Sequence, residues 1–158
     1  MRHRIGLLFM FMFMPLLPAF PAHAWNGKVV KVLSGDTFIA LKKNRQLVIK
    51  LYGLECPEPE TSLGVRARNL TRTKIERKRV KINPITQDGR NRIIARVSIN
   101  GQSLNAFILR SGYGLVNRKK CTQPVCEEWI RFERYAHKQK NGVWGMLEEV
   151  LPRKGPKR

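Results

Sequence analysis

Residues 50–60 read Lys-Leu-Tyr-Gly-Leu-Glu-Cys-Pro-Glu-Pro-Glu. Three carboxylates, Glu55, Glu58 and Glu60, crowd this stretch, in a chain with only 11 acidic residues against 31 Lys and Arg. Oxygen donors gathered in so basic a protein suit a hard metal ion held beside an anionic substrate. An ordinary solvated acidic loop is the other reading, and this stretch alone does not separate the two. Cys56, inside it, adds no chemistry of its own. No second cysteine stands at metal-ligand spacing and no histidine lies near, so zinc does not fit. Beyond the N-terminal leader described below, His137 is the one histidine, on a predicted helix, so Cys56 also lacks a visible base. It reads as a small, half-buried residue.

The neighbouring elements explain how these carboxylates are held. Residues 46–52 are rich in branched and aromatic side chains and read as a strand. It ends at Gly53, and Pro57 and Pro59 then exclude a regular ladder or helix. Upstream, residues 25–32 and 37–41 form a strand pair around the Ser34-Gly35-Asp36 turn. Downstream, Thr61 or Ser62 can cap a helix whose inner face is Leu63, Ala67 and Leu70, with Thr71 and Ile75 close by. Its outer face carries Arg66, Arg68, Arg72, Lys74 and Arg77, which ordinarily means solvation. Residues 79–82 and 92–99 are two further strands, with residues 87–90 between them a mobile, solvated loop. A second helix begins near Ser103, with Leu104, Phe107 and Ile108 inward and Gly112 as its stop. Residues 113–120 are irregular and basic. The last helix covers residues 124–140, with Val125, Trp129, Phe132 and Ala136 inward, and Trp144 is expected to pack back on the core. Five short strands and about three helices, the first helix lying between the third and fourth strands, predict an α+β fold. Its centre would be a five-stranded Greek-key barrel of the OB type.

The N-terminus has a different character. Arg2, His3 and Arg4 precede an apolar run, and the run leads to prolines and the small-residue site Ala22-His23-Ala24. This pattern predicts a secretory signal peptide over residues 1–24, cleaved after Ala24, and hence a secreted or periplasmic protein. The folded domain is then expected over residues 25–152, followed by a basic tail over 153–158. Loss of Arg2 and Arg4 takes two from the formal charge of +20 and leaves +18. Such a charge points to a polyanionic partner, nucleic acid before anionic lipid or glycan, and disfavours self-association, so a monomer is expected. In an oxidising compartment, Cys121 and Cys126 predict a disulfide that closes a small loop ahead of the last helix.

Three separated stretches carry a resemblance. They are Gly35-Asp36-Thr37 after a Val-rich strand, residues 50–58 at the end of the third strand, and Asp88-Gly89-Arg90-Asn91-Arg92 entering the fifth, followed by Gly101 and Ser103-Leu104-Asn105. In this order and spacing they resemble the staphylococcal nuclease (thermonuclease-like) family over nearly the whole mature chain. The resemblance implies an OB barrel that hydrolyses phosphodiester bonds in DNA and RNA, with little sequence preference, using calcium or another divalent cation. By position it implies Asp36 and Glu55 as carboxylate ligands of the ion and the Cys56 main-chain carbonyl as a third. It makes Glu58, immediately after the first proline, the residue acting on the attacking water, in preference to Glu60. Lys50 and Arg92 would hold the scissile phosphate. Three departures bear on this. Lys50 stands where the family usually has Arg, giving a point charge in place of a planar fork. Glu55 stands where Asp is usual. The two tyrosines that pack near the nucleotide in well-known members have no match, and Asn117, Arg118 and Lys119 occupy that region instead, suited to phosphate contacts. These departures motivate an alternative, a nucleic-acid-binding barrel whose catalytic site has weakened. A cationic protein on envelope lipid or glycan is the third reading.

Overall fold

The computed structural model describes residues 23–150, with side chains described through Met146. Nearly all of the expected signal peptide, and the whole of the basic tail, lie outside the described residues. Five strands close on themselves: β1 (Trp25–Val32), β2 (Thr37–Lys42), β3 (Arg45–Leu51), β5 (Arg79–Gln87) and β6 (Ile93–Ile99). β1 pairs antiparallel with both β2 and β5, β2 with β3, and β5 with β6. A parallel pairing of β3 with β6, in which Lys50 lies opposite Ile94, seals the barrel. This is the five-stranded OB-type Greek key expected from the strand order. Period-two alternation fills the interior with Val29, Phe38, Ala40, Ile49, Leu51, Val80, Ile82, Ala95 and Val97, all but absent from the surface.

Helix α1 (Ser62–Ile75) lies between β3 and β5 and is capped by Thr61, whose side chain accepts from the Gly64 amide. Its buried face is Gly64, Ala67, Thr71 and Ile75, while Leu63 and Leu70 are half-buried. Helices α2 (Leu104–Arg110) and α3 (Val125–Lys138) pack on each other beside the barrel. Ser103 caps α2 through the Ala106 amide, and Gly112 ends it at φ +75°. Trp129 of α3 is fully buried, its ring 6.1 Å from Tyr52.

Three elements differ from the sequence expectation. The fourth barrel strand runs on to Gln87 through Pro84, because the ladder breaks between Pro84 and Thr86, where a missing N–H costs nothing. Within the stretch expected to be irregular, β8 (Leu115–Val116) pairs with β4 (Leu54–Glu55), a ladder too short to leave a periodic signal. A fourth helix, α4 (Val143–Val150), follows Gly142, and Trp144 within it meets His137 edge to face at 4.6 Å. The remaining short strand, β7 (Gln102–Ser103), extends the β6 edge. Among the described residues no helix is long and apolar enough to cross a membrane.

Candidate active site

Barrel closure brings distant loop and strand ends to one mouth, and a cleft of about 710 Å³ opens there. Asp36, Lys50, Glu55, Cys56, Glu58 and Arg92 all line it, as do Asp88 and Lys120, whereas Glu60 does not. Asp36 immediately precedes β2, and its carbonyl accepts from the Leu51 amide at 2.8 Å, locking the start of β2 to the end of β3. Asp36 is 5 % exposed. Its Oδ1 accepts from Ser34 Oγ and Thr37 Oγ1, both at 2.8 Å, and its Oδ2 from Lys50 Nζ. Burial alone would raise its pKa, but the Lys50 charge and these three donors outweigh burial and hold it below the usual value. Asp36 is therefore ionised at neutral pH.

Helix α1 sets both acidic segments. Thr71 donates to the Gly35 carbonyl at 2.7 Å, and a side chain at Gly35 would meet Cys56 Sγ at 2.6 Å and Ala67 Cβ at 2.8 Å. At the helix start, a Cβ on Gly64 would fall 1.8 Å from the Glu58 carbonyl oxygen. That carbonyl accepts from the Thr61 amide at 3.0 Å and from Thr61 Oγ1 at 2.8 Å. Glu58 thus sits on a turn pressed against the helix, its carboxylate exposed and, among the described residues, without a hydrogen-bond partner. Cys56 is a free, half-buried thiol. Burial and the nearby Asp36 charge push its pKa far up, so it stays protonated and offers no thiolate.

Opposite, Asn117 donates to Glu55 Oε1 at 2.7 Å, and Lys120 Nζ lies 3.6 Å from the same oxygen. Asn117 Oδ1 in turn accepts from the Lys119 and Lys120 amides, each at 3.1 Å. The Cys121–Cys126 disulfide ties this loop to α3. Glu133, 7 % exposed on α3, accepts from the Val116 amide and from Arg118 Nη2, each at 2.8 Å. Arg118 is thereby turned to Glu133, and Lys120 is the cation of this loop that lines the cleft. Residues 88–92 are exposed or half-exposed, yet they are internally bonded. Asp88 Oδ1 accepts from the Arg90 amide at 3.1 Å and the Arg92 amide at 3.0 Å, and Oδ2 from Arg92 Nε at 2.8 Å, with Arg92 Nη2 2.7 Å away as an ion-pair contact.

Sequence reasoning missed Asn117 as a partner of Glu55, Lys120 as a cleft residue, Glu133 as a buried acid, and Asp88 as a clasp on Arg92. Only Asp88 left a signal, the Asp-Gly turn pair, and that signal speaks of backbone shape.

A family model described as "Staphylococcal nuclease homologue" matches residues 48–146, well over half of the chain. The chain belongs to the staphylococcal nuclease family. A protein of Escherichia coli named "Uncharacterized endonuclease" is 28 % identical over 128 residues, covering 80 % of this chain and 82 % of its own. The "Micrococcal nuclease" of Shigella flexneri is 26 % identical over 139 residues, covering 82 % and 79 %. The "Probable endonuclease LCL3" of Komagataella phaffii is 30 % identical over 123 residues, covering 70 % of this chain and 54 % of its own. The staphylococcal nuclease match begins inside β3, so Lys50, Glu55, Cys56, Glu58 and Arg92 fall within it, while Asp36 precedes it.

Proposed function

We propose that this protein is an exported, calcium-dependent nuclease that hydrolyses phosphodiester bonds in DNA and RNA with little sequence preference. The observation that carries the reading is the convergence of Asp36, Lys50, Glu55, Glu58 and Arg92 on one polar cleft from separate parts of the barrel mouth. The donor chemistry fits a hard cation. Asp36 is ionised, Glu55 supplies a second carboxylate, the Cys56 carbonyl is the third oxygen, and the protonated thiol does not compete as a soft ligand. A divalent ion held there would neutralise charge on the phosphoryl group. Among the described residues no group of three acidic, His or Cys side chains forms a ready cage, and Lys50 holds Asp36 Oδ2, so loading asks Lys50 to turn from Asp36. That turn would point its ammonium at the cleft, where a phosphate takes over as its anionic partner.

Glu58 carries an unpaired carboxylate on a stiff turn, placed to accept a proton from water attacking phosphorus. Arg92 donates Nε–H to Asp88 and keeps Nη2 in ion-pair contact with the same oxygen, which holds the guanidinium in place and leaves its remaining donors for a phosphoryl oxygen. Lys50 and Arg92 together would stabilise charge that grows on the phosphoryl oxygens. Export follows from the signal-peptide pattern, and the Cys121–Cys126 disulfide supports it, since such bonds persist in oxidising compartments.

The test is incubation of residues 25–158 with labelled single-stranded DNA or RNA, with calcium or with chelator, alongside Glu58→Gln. Calcium-dependent cleavage that drops at least a hundredfold in Glu58→Gln, about 2.7 kcal/mol of barrier, is expected. Cleavage equal in chelator, or equal in the variant, overturns the reading. A specific observation favours a second reading. Both carboxylates proposed as ligands already have protein partners, Lys50 on Asp36 and Asn117 on Glu55. A protein that binds DNA tightly with no turnover at any calcium concentration would be the weakened, binding-only barrel.

A further inference from the structure

The outward face of β1, β5 and β6 carries a second cationic surface, away from the cleft. Alternation buries Val80 and Ile82 of β5 and leaves Arg79 and Lys81 exposed and Asn83 half-exposed. In β6 it buries Ala95 and Val97 and leaves Arg96 and Ser98 outside, and in β1 it exposes Asn26 and Lys28. The register sets Lys28 opposite Arg79, Asn26 opposite Lys81, Lys81 opposite Ser98, and Asn83 opposite Arg96. No carboxylate stands on any of these positions. Among the described residues, none of Lys28, Arg79, Lys81 and Arg96 has an ion-pair partner. Like charges directly opposite across an antiparallel pair destabilise it, and Lys28 faces Arg79 in that way. A surface that keeps such a pair, with no internal counter-charge, is matched to an anion from outside. Two of these cations, Arg79 and Lys81, line a hollow of about 540 Å³ together with Asn26, Asn83, Ser98 and Asn100, which add neutral donors suited to phosphate and sugar oxygens.

Strand β6 links the hollow to the cleft, although the two share no lining residue. Arg92 stands at the cleft immediately before β6, and the outward positions from there read Arg92, Ile94, Arg96 and Ser98. Arg96 lies about 13 Å beyond Arg92 at strand rise, and Lys81 and Arg79 continue the line on the paired strand to about 25 Å. We propose that this face is a track for the sugar-phosphate backbone flanking the bond in the cleft, so that a nucleic-acid strand runs along β6 and β5 past the barrel mouth. The proposal rests on the nuclease reading for its direction and not for its binding. A strand fits better than a bilayer, because Arg79 and Lys81 line a concavity, while a flat headgroup plane reaches ridges.

The test measures binding of single-stranded DNA of 20 and of 4 nucleotides to the purified protein in chelator, across a range of salt. It compares the parent with Lys28→Gln/Arg79→Gln/Lys81→Gln/Arg96→Gln. All four residues are exposed, and thermal melting checks the fold. The 20-mer is expected to lose about tenfold or more in affinity, and its log–log salt slope to flatten by about 3, from about 0.7 per lost contact on a single strand. The 4-mer, which reaches only the cleft, should bind the variant as it binds the parent. Should the fourfold variant melt early, Lys28→Gln/Lys81→Gln and Arg79→Gln/Arg96→Gln are each expected to flatten the slope by about 1.4. An unchanged slope for the 20-mer overturns the proposal. So does a variant that keeps DNA binding but loses co-sedimentation with phosphatidylglycerol vesicles, which would make the face a lipid surface. The two readings fail separately: a parent that never cleaves DNA but shows the slope change sinks the nuclease and keeps the track. A parent that cleaves and shows no slope change keeps the nuclease alone.

Discussion

Lys50 and Asp36 form the contact on which the proposed chemistry turns. The contact holds Asp36 ionised in a nearly closed site, but it also occupies the oxygen a cation would use. An arginine there would meet phosphate with a planar two-point fork in place of a single charge. Lys50→Arg is therefore expected to raise kcat for DNA cleavage by tenfold or more, read in single-turnover assays with saturating calcium. Asp88 offers a pH test. Its hydrogen bonds from Arg92 depress its pKa to about 2 from an ordinary 3.8. Because the folded value lies below the unfolded one, the clasp on Arg92 stabilises the protein above about pH 4 and fades as pH falls toward 2. Carboxyl NMR should show Asp88 titrating near 2 in the parent and shifted upward in Arg92→Gln, but still below the ordinary 3.8 because the residue 90 and 92 amides go on donating.

At the scale of elements, α1 does more than cover the barrel. Its Thr71 holds Gly35, one residue before Asp36, and its Gly64 leaves room for the turn that carries Glu58. Gly64→Ala would place a methyl group 1.8 Å from the Glu58 carbonyl oxygen, so the turn has to move. Displacing a catalytic group by about 1 Å can cost about a hundredfold. Gly64→Ala is expected to cut kcat at least tenfold while circular dichroism still shows the helix, since alanine itself favours helix. A rate equal to the parent would show that Glu58 is not held by this contact. The short β4–β8 ladder has the matching role on the other side. It sets Leu115 opposite Glu55, and the Asn117 amide extends the attachment by donating to the Gly53 carbonyl at 2.9 Å.

For the whole molecule, the excess of 31 basic over 11 acidic residues dominates. The five ion pairs among the described residues engage only a few of those cations. Self-repulsion destabilises a compact state of this charge, and salt screens it over about 10 Å at 0.1 M. The thermal midpoint is therefore expected to rise between 10 and 150 mM sodium chloride, by about 4 °C or more for each 1 kcal/mol of repulsion relieved. A midpoint independent of salt would mean that the cations are already neutralised within the fold. On the proposed nuclease reading the same screening would weaken DNA binding, so stability and affinity should move in opposite directions with salt.

The barrel was legible in the sequence because its causes are local: apolar residues alternating at 29, 38, 40, 49, 80, 82, 95 and 97, and turns marked by Gly35, Asn44 and Asn100. So were the helix starts, at Thr61 or Ser62 and near Ser103; the structure sets the caps at Thr61 and Ser103, where one hydroxyl satisfies one free amide. Asp36, Lys50, Glu55, Glu58 and Arg92 were also readable from three short motifs, whereas Lys120, which lines the same mouth, lies outside them. Tertiary structure alone decided which charge faces which. Nothing in sequence spacing says that Lys50 lies on Asp36, that Asn117 holds Glu55 across 62 positions, or that Glu133 takes Arg118 away from the cleft. Those pairings depend on how the barrel closes through β3 and β6 and on where the disulfide fastens the loop to α3. Strand periodicity is written residue by residue, whereas the partner of a charged side chain is set by the three-dimensional distance to every other charge in the chain.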